Sequence, residues 1–115
     1  MVDESTKKEL RSQYKEREII GGVYLIRNTM NNKVFIDATA DLQGSKNRFE
    51  FSVETGSCVY MKLLSDWKEQ SGSGFAFEVL EELRKSETQT PENFKSDLGL
   101  LKSMWLEKLS GEQLY

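Results

Sequence analysis

Gly22-Val23-Tyr24, followed after ten residues by Phe35-Ile36-Asp37, is the stretch that decides the fold of this chain. Short runs of apolar and β-branched residues lie on each side of Asn31-Asn32. Asparagine tolerates the left-handed backbone that a two-residue type I′ turn requires. The pattern therefore predicts a β-hairpin with strands at 23–27 and 33–38, which places the two triplets side by side on neighbouring strands.

The composition limits the chain to one small folded domain. Its 115 residues are about one domain long, and the apolar fraction of 37% is typical of a globular protein. No stretch approaches the ~20 apolar residues of a membrane span, and the charged amino terminus does not resemble a secretion signal. A single cysteine, Cys58, agrees with a reducing compartment. We therefore expect a cytoplasmic protein without a membrane partner.

The charge pattern restricts the possible chemistry. Sixteen basic and 19 acidic residues give a net charge of −3. Nucleic-acid binding by counterion release needs several basic side chains on one face, so here it would depend on local clustering. The chain contains no histidine, the commonest general base and metal ligand. Acid–base chemistry would therefore fall to Tyr, Lys, Asp or Glu.

Outside the hairpin, periodicity predicts four helices and a third strand. The helices are expected at 4–18, at 41–52, at 58–70 and from Thr90-Pro91 to about Gly111, and the strand at 75–79. This order favours a small α+β fold over a doubly wound sheet. We expect an N-terminal helical extension at 1–19, a core domain at 20–110 and a short tail at 111–115.

The paired triplets and the order of elements resemble the GIY-YIG nuclease family over roughly residues 20–110. The resemblance implies a three-stranded, largely antiparallel sheet packed by helices, here with an extra N-terminal helix. Working members, which include phage homing endonucleases and a nucleotide-excision-repair nuclease, cut one phosphodiester strand. They use tyrosines, an arginine, a glutamate and a divalent metal.

The resemblance assigns roles to three hairpin residues. Tyr24 stands at the tyrosine of the first family motif, whose phenol takes part in activating the attacking water. Without the family context, we favour an ordinary strand tyrosine with its hydroxyl at the sheet surface. Phe35 replaces the tyrosine of the second motif and offers no hydroxyl. Asp37 replaces the motif glycine and adds a negative charge that repels a phosphate.

Three further family positions fall on the predicted helices. Ser45 occupies the position of the phosphate-binding arginine, whereas Arg48, one turn later, either reaches the same phosphate or is an ordinary solvated arginine. Taking Trp105 as the aromatic residue that comes after the metal-binding glutamate places Lys102 at the glutamate position. An ammonium group cannot bind Mg²⁺.

These substitutions lead to a specific hypothesis. Lys102 places a positive charge where the metal would lie and pairs with Asp37. The site then binds a phosphate weakly through Tyr24, Arg48 and Lys102, or is closed by its own ion pair. We therefore expect no catalytic residues, no cofactor and no metal, in a domain kept for weak binding of DNA or for interaction with a protein partner.

Two alternatives stay open. The first is an active Mg²⁺-dependent DNA endonuclease that uses Tyr24 and Arg48, with the metal held by Asp37 or Asp41. The second is a pure protein-interaction module, whose contact surface is the N-terminal helix and the polar connection at 84–90.

Overall fold

The computed structural model describes residues 19–70 and 74–115. The predicted helix at 4–18 lies outside these residues. The described elements, in chain order, are β1 (Ile20–Asn28), β2 (Val34–Thr39), α1 (Leu42–Thr55), a 3-10 turn (Met61–Leu63), α2 (Leu64–Gln70), β3 (Phe75–Arg84) and α3 (Pro91–Lys108).

The three strands form one antiparallel sheet in the order β2-β1-β3. Tyr24, in the central strand β1, lies opposite Asp37 of β2 on one side and Val79 of β3 on the other. The expected α+β fold, with a three-stranded antiparallel sheet and packed helices, is confirmed. The two triplets lie on neighbouring strands, as the hairpin pattern predicted.

The predicted hairpin tip was wrong in its length. Five residues, 29–33, connect the strands, and Asn32, with φ of 61°, is the only non-glycine described residue with a left-handed backbone. The side-chain oxygens of Asn28 and Asn31 each accept a bond from the backbone two residues on, at 2.9 Å in both cases. These local bonds stabilise a wider loop than the two-residue turn.

Gly22 has a structural reason to be glycine. Strand β1 begins at Ile20 rather than 23, so Gly22 lies inside the sheet. Its φ is 159°, and a Cβ there would overlap the carbonyl oxygen of Glu81 and lie 2.9 Å from Cδ1 of Leu42. The first triplet therefore begins where β3 and α1 approach the backbone of β1 most closely.

Both faces of the central strand are buried, because its side chains alternate between two apolar clusters. Tyr24 and Ile26 pack with residues of α1, α2 and β3, whereas Val23 and Leu25 pack with Val34, Ile36 and the half-buried apolar side chains of α3. Helices on both sides therefore cover β1.

Helix α1 is longer than predicted. Its N-cap, Asp41, accepts a 2.9 Å bond from the backbone N–H of Gly44, so this glycine takes part in the cap. The helix ends at Gly56, whose φ of 76° suits a left-handed C-cap.

The continuous helix predicted at 58–70 was wrong. Tyr60 has an extended backbone and precedes the 3-10 turn, and α2 begins only at Leu64. The predicted apolar stripe still identified buried residues correctly, since Leu63 and Trp67 are both buried.

Strand β3 reaches Arg84, five residues past the predicted end. Helix α3 begins as expected, because the hydroxyl of Thr90 accepts a 3.1 Å bond from the backbone N–H of Asn93 and Pro91 is the first helical residue. None of the helices in the described ranges is long and apolar enough to cross a membrane.

The last residues attach to the outer edge of β2. The backbone N–H of Val34 donates to the carbonyl of Gln113 at 2.8 Å, and the N–H of Tyr115 donates to the carbonyl of Val34 at 3.0 Å. Leu114 thus forms a parallel bridge with Val34.

Candidate functional site

Tyr24 lies at the centre of the sheet with only 5% of its surface exposed. Its ring stacks on Phe77 of β3, with ring centroids 4.8 Å apart and an interplanar angle of 21°. Burial, and then the negative charge of Asp37, raise the pKa of Tyr24 well above its ordinary value. At neutral pH this phenol therefore stays protonated and offers a hydrogen bond rather than a base.

Asp37 forms the ion pair that the sequence predicted. Its Oδ1 lies 3.2 Å from Nζ of Lys102 and also accepts a 2.9 Å bond from the backbone N–H of Ala38. Lys102 belongs to α3, so the contact connects the edge strand β2 with the helix behind it. The side chains of Lys102 and Asp37 are 37% and 41% exposed, and such a pair typically contributes about 0–1 kcal/mol to stability.

The two candidate carboxylates, those of Asp37 and Asp41, do not fit a divalent metal. Asp37 is already bonded to an ammonium group, which cannot act as a metal ligand, and the carboxylate of Asp41 caps α1. Across 19–70 and 74–115, no three His, Cys, Asp or Glu side chains are grouped so that they could hold a metal ion. The metal implied by the family resemblance thus has no matching set of ligands in the described part of the chain.

Ser45 and Arg48 differ completely in their surroundings. Ser45 is buried, and its hydroxyl donates a 2.8 Å bond to the hydroxyl of Thr39, so it connects α1 with the end of β2. Arg48 is exposed and makes no ion pair with any described residue. Of the two, only Arg48 can reach a ligand.

Arg48 lies within electrostatic reach of two tyrosines. Burial is the main effect on the pKa of Tyr24 and of Tyr60 and raises both, while the positive charge of Arg48 lowers both. The charge of Arg48 therefore acts on both the sheet tyrosine and a tyrosine of the α1–α2 connection.

Tyr60 is the residue that the sequence interpretation missed. It was assigned to the core face of a helix, whereas it is half-buried in the loop before the 3-10 turn. Its ring lies 5.9 Å from that of Phe35 and 6.3 Å from that of Trp67, measured between centroids. Phe35 lacks a hydroxyl, and Tyr60 places a phenol beside it. No local sequence signal marks this loop, because the apolar spacing of residues 60–67 fits a continuous helix.

The structure thus brings six side chains together, which we call the Tyr24 site: Tyr24, Phe35, Asp37, Arg48, Tyr60 and Lys102. Its charged members are two cations and one carboxylate. A guanidinium fork beside two phenols, with an ammonium group that contacts Asp37, suits the binding of a phosphate or another anion.

Neither a protein-family model nor a curated protein matches the sequence. Two solved structures match the fold. One is the catalytic domain of intron endonuclease I-TevI in a mutant form, with a TM-score of 0.58 and 25% identity over 79% of this chain and 84% of that chain. The other is the catalytic domain of homing endonuclease I-TevI, with a TM-score of 0.55 and 24% identity over 78% of this chain and 88% of that chain. I-TevI is a GIY-YIG nuclease, so this likeness agrees with the resemblance drawn from the two triplets. The described chain therefore has the α+β fold of the I-TevI catalytic domain.

Proposed function

We propose that this chain is a GIY-YIG-like domain that has lost metal-dependent nuclease activity and binds nucleic acid weakly through the phosphate backbone. The Tyr24 site would be the contact, with Arg48 and Lys102 as the basic residues and Tyr24 as a hydrogen-bond donor. The proposal combines the fold likeness to an endonuclease domain with the contacts inside the site.

The contact between Lys102 and Asp37 is the observation that carries the proposal. Nζ of Lys102 and Oδ1 of Asp37 are 3.2 Å apart, and Asp37 lies directly opposite Tyr24 in the sheet. A metal that polarises a phosphate needs carboxylate ligands, and here an ammonium group lies against the carboxylate closest in register to Tyr24. The pair therefore argues against a metal at Asp37, and so against metal-dependent cleavage at this position.

The protonation state of Tyr24 supports the same conclusion. A general base must accept a proton near neutral pH, and efficient ones have a pKa close to the working pH. The pKa of Tyr24 is raised well above its ordinary value by burial and by Asp37. Tyr24 is thus suited to hold a phosphate oxygen or a water by a hydrogen bond.

An active endonuclease is the second candidate, because both structural neighbours are catalytic domains of an endonuclease. This candidate requires Asp37 or Asp41 to leave its present bond and bind Mg²⁺. It predicts cleavage of DNA that depends on the metal and on the hydroxyl of Tyr24. A third possibility, a pure protein-interaction module, predicts no affinity for nucleic acid at any salt concentration.

One experiment separates these candidates. The protein is incubated with branched, nicked and single-stranded DNA in Mg²⁺ or Mn²⁺, and binding to the same DNA is measured at low salt. We expect binding without cleavage. Cleavage that disappears in the Tyr24→Phe variant would establish the nuclease instead, whereas cleavage that persists in this variant would reveal a contaminating nuclease.

A further inference from the structure

The ion pair between Lys102 and Asp37 connects the two faces of the sheet. Asp37 lies directly opposite Tyr24 in the register of β1 and β2, and directly opposite residues of an antiparallel pair share one face. Lys102 belongs to α3, whose apolar side chains pack on the other face with Val23. The contact therefore crosses the edge of β2, from the face that α3 covers to the carboxylate beside Tyr24.

The two partners of this pair are held unequally. Oδ1 of Asp37 lies 3.2 Å from Nζ of Lys102 and also accepts a 2.9 Å bond from the backbone N–H of Ala38. Among the described residues, Nζ of Lys102 has no bonded partner other than Asp37. If the pair opened, the carboxylate would keep one hydrogen bond. The ammonium group, on its flexible four-carbon stem, would be free to bind another anion.

Opening the pair costs little free energy. The side chains of Lys102 and Asp37 are 37% and 41% exposed, and ion pairs of this exposure favour the paired state by about fivefold at most. A nucleic-acid phosphate attracts a lysine as well, because the contact releases a counterion. The carboxylate of Asp37 and a phosphate therefore compete for the same ammonium group.

Asp37 also acts on the tyrosine of the site. Burial, and then the negative charge of Asp37, raise the pKa of Tyr24 above its ordinary value. The carboxylate is thus close to two groups that the proposed function assigns to phosphate binding, the ammonium group of Lys102 and the phenol of Tyr24. An anion that approaches these groups meets a negative charge already in place.

We propose that Asp37 is an autoinhibitory residue of the Tyr24 site, whose carboxylate occupies Lys102 in the place of a phosphate until nucleic acid displaces it. The proposal rests on the nucleic-acid binding proposed above. It adds that one side chain of the protein itself limits the affinity, and that neutralising this side chain releases the paired lysine.

The test measures the affinity for a short fluorescein-labelled DNA duplex by fluorescence anisotropy at low salt. Asp37→Asn removes the charge but keeps an oxygen that can accept from the N–H of Ala38. We expect this variant to bind the duplex about fivefold more tightly than the parent protein. In the background of Lys102→Met, the same change should alter the affinity by less than about twofold, because no ammonium group is left to release.

A second ion pair of the sheet supplies the matched control. Nε of Arg27 lies 2.9 Å from Oε2 of Glu78, and the two side chains are 31% and 47% exposed. Glu78 is paired with Leu25, and Arg27 comes two residues after Leu25 in β1, so both lie on the face away from Tyr24. Glu78→Gln thus frees a cation and removes one negative charge, as Asp37→Asn does. Its affinity for the duplex should stay within about twofold of the parent's.

The outcomes distinguish this role from the proposed function. Equal affinity of Asp37→Asn and the parent would overturn the autoinhibitory role and leave the proposed function in place. A gain of the same size with and without Lys102 would overturn this role as well, since general repulsion would then explain it. An equal gain in Glu78→Gln would assign the effect to net charge alone.

Absence of DNA binding at low salt, in the parent and in Asp37→Asn alike, would overturn the proposed function together with the role of Asp37. Circular dichroism checks that each variant is folded. Asp37→Ser, a second neutral variant, should show the same gain as Asp37→Asn, and a gain confined to one of the two would contradict release of Lys102 as its cause.

Discussion

The two ends of the β1–β2 hairpin differ in how fully their polar side chains are hydrogen-bonded to other side chains. At the tip, Asn28 is fully buried, and its Nδ2 donates to the hydroxyl of Tyr115 at 2.8 Å and to Oδ2 of Asp66 at 3.3 Å. The hydroxyl of Tyr115 itself donates to the same Asp66 oxygen at 2.6 Å. Nδ2 of Asn31 reaches this oxygen as well, at 3.3 Å. We call these four residues the tip cluster.

The Tyr24 site has fewer hydrogen bonds between its own side chains. Arg48 is exposed and has no ion pair among the described residues, and the pair of Lys102 and Asp37 is more than a third exposed. Hydrogen bonds inside the tip cluster join the loop, α2 and the end of the chain, so they stabilise the fold. In the Tyr24 site, Lys102 and Asp37 bond each other, and the exposed charge of Arg48 is left for a ligand. The comparison therefore separates residues that hold the sheet together from residues that can bind.

The largest effect is expected for Asn28→Ala in the tip cluster. The substitution removes two donated side-chain bonds and one that Oδ1 accepts from the N–H of Met30, and it leaves a cavity at a fully buried position. The free energy of unfolding should therefore fall by about 2–3 kcal/mol. Urea denaturation followed by circular dichroism measures it. Asn47→Ala is the control, because Asn47 is exposed on α1 and its change should stay within about 0.5 kcal/mol. Equal losses in the two variants would remove the distinction between the tip cluster and an ordinary surface.

A smaller loss is expected for Tyr115→Phe. This change keeps the ring, which packs at the edge of the core and lies 5.7 Å from Nζ of Lys33, but removes the hydroxyl shared by Asp66 and Asn28. A hydrogen bond to a charged group in this partly buried setting contributes about 1 kcal/mol. The same denaturation measurement applies, and an unchanged midpoint would show that residues 113–115 are not held by this bond.

Acid should weaken the tip cluster in a defined pH range. The hydrogen bond from Tyr115, followed by bonds from Asn31 and Asn28 and the charge of Lys33, lowers the pKa of Asp66 below its ordinary value of 3.8. Its stabilising contribution is therefore complete above that value and is lost as the pH falls through the lower pKa of the folded state. Between about pH 5 and 2, Asp66→Asn should lose less stability than the parent protein. An identical pH dependence of both proteins would contradict this contribution.

Sequence alone predicted three strands and the placing of the paired triplets on neighbouring strands, because alternation along a strand depends on neighbours two residues apart. It did not predict the register, because the turn is longer than the expected two residues. It predicted the pair of Lys102 and Asp37 only through the family resemblance, since the two residues are distant in sequence. The tip cluster could not be predicted, because Asn28, Asp66 and Tyr115 meet only through the tertiary fold. Tyr60 was misassigned for a local reason. Its apolar spacing matched a helix, whereas its backbone is extended before the 3-10 turn.

A still smaller stability effect is expected at Lys102. Lys102→Met should change the free energy of unfolding by less than about 1 kcal/mol, because the ion pair with Asp37 is partly exposed. Lys95→Met, at an exposed position of the same helix, is the matched control. A loss as large as that of Asn28→Ala would show that the pair holds the fold together, and the contrast between the two ends of the hairpin would fail.

The most direct test of the central claim is the salt dependence of DNA affinity in the parent protein and in Arg48→Ala. If the Tyr24 site binds phosphate, affinity falls linearly with salt on a logarithmic plot, and the variant loses about 0.7–0.9 from the slope, the contribution of one phosphate contact. Its unfolding free energy should remain within about 0.5 kcal/mol of the parent's. Identical slopes in the two proteins, or no DNA binding at low salt, would contradict the account.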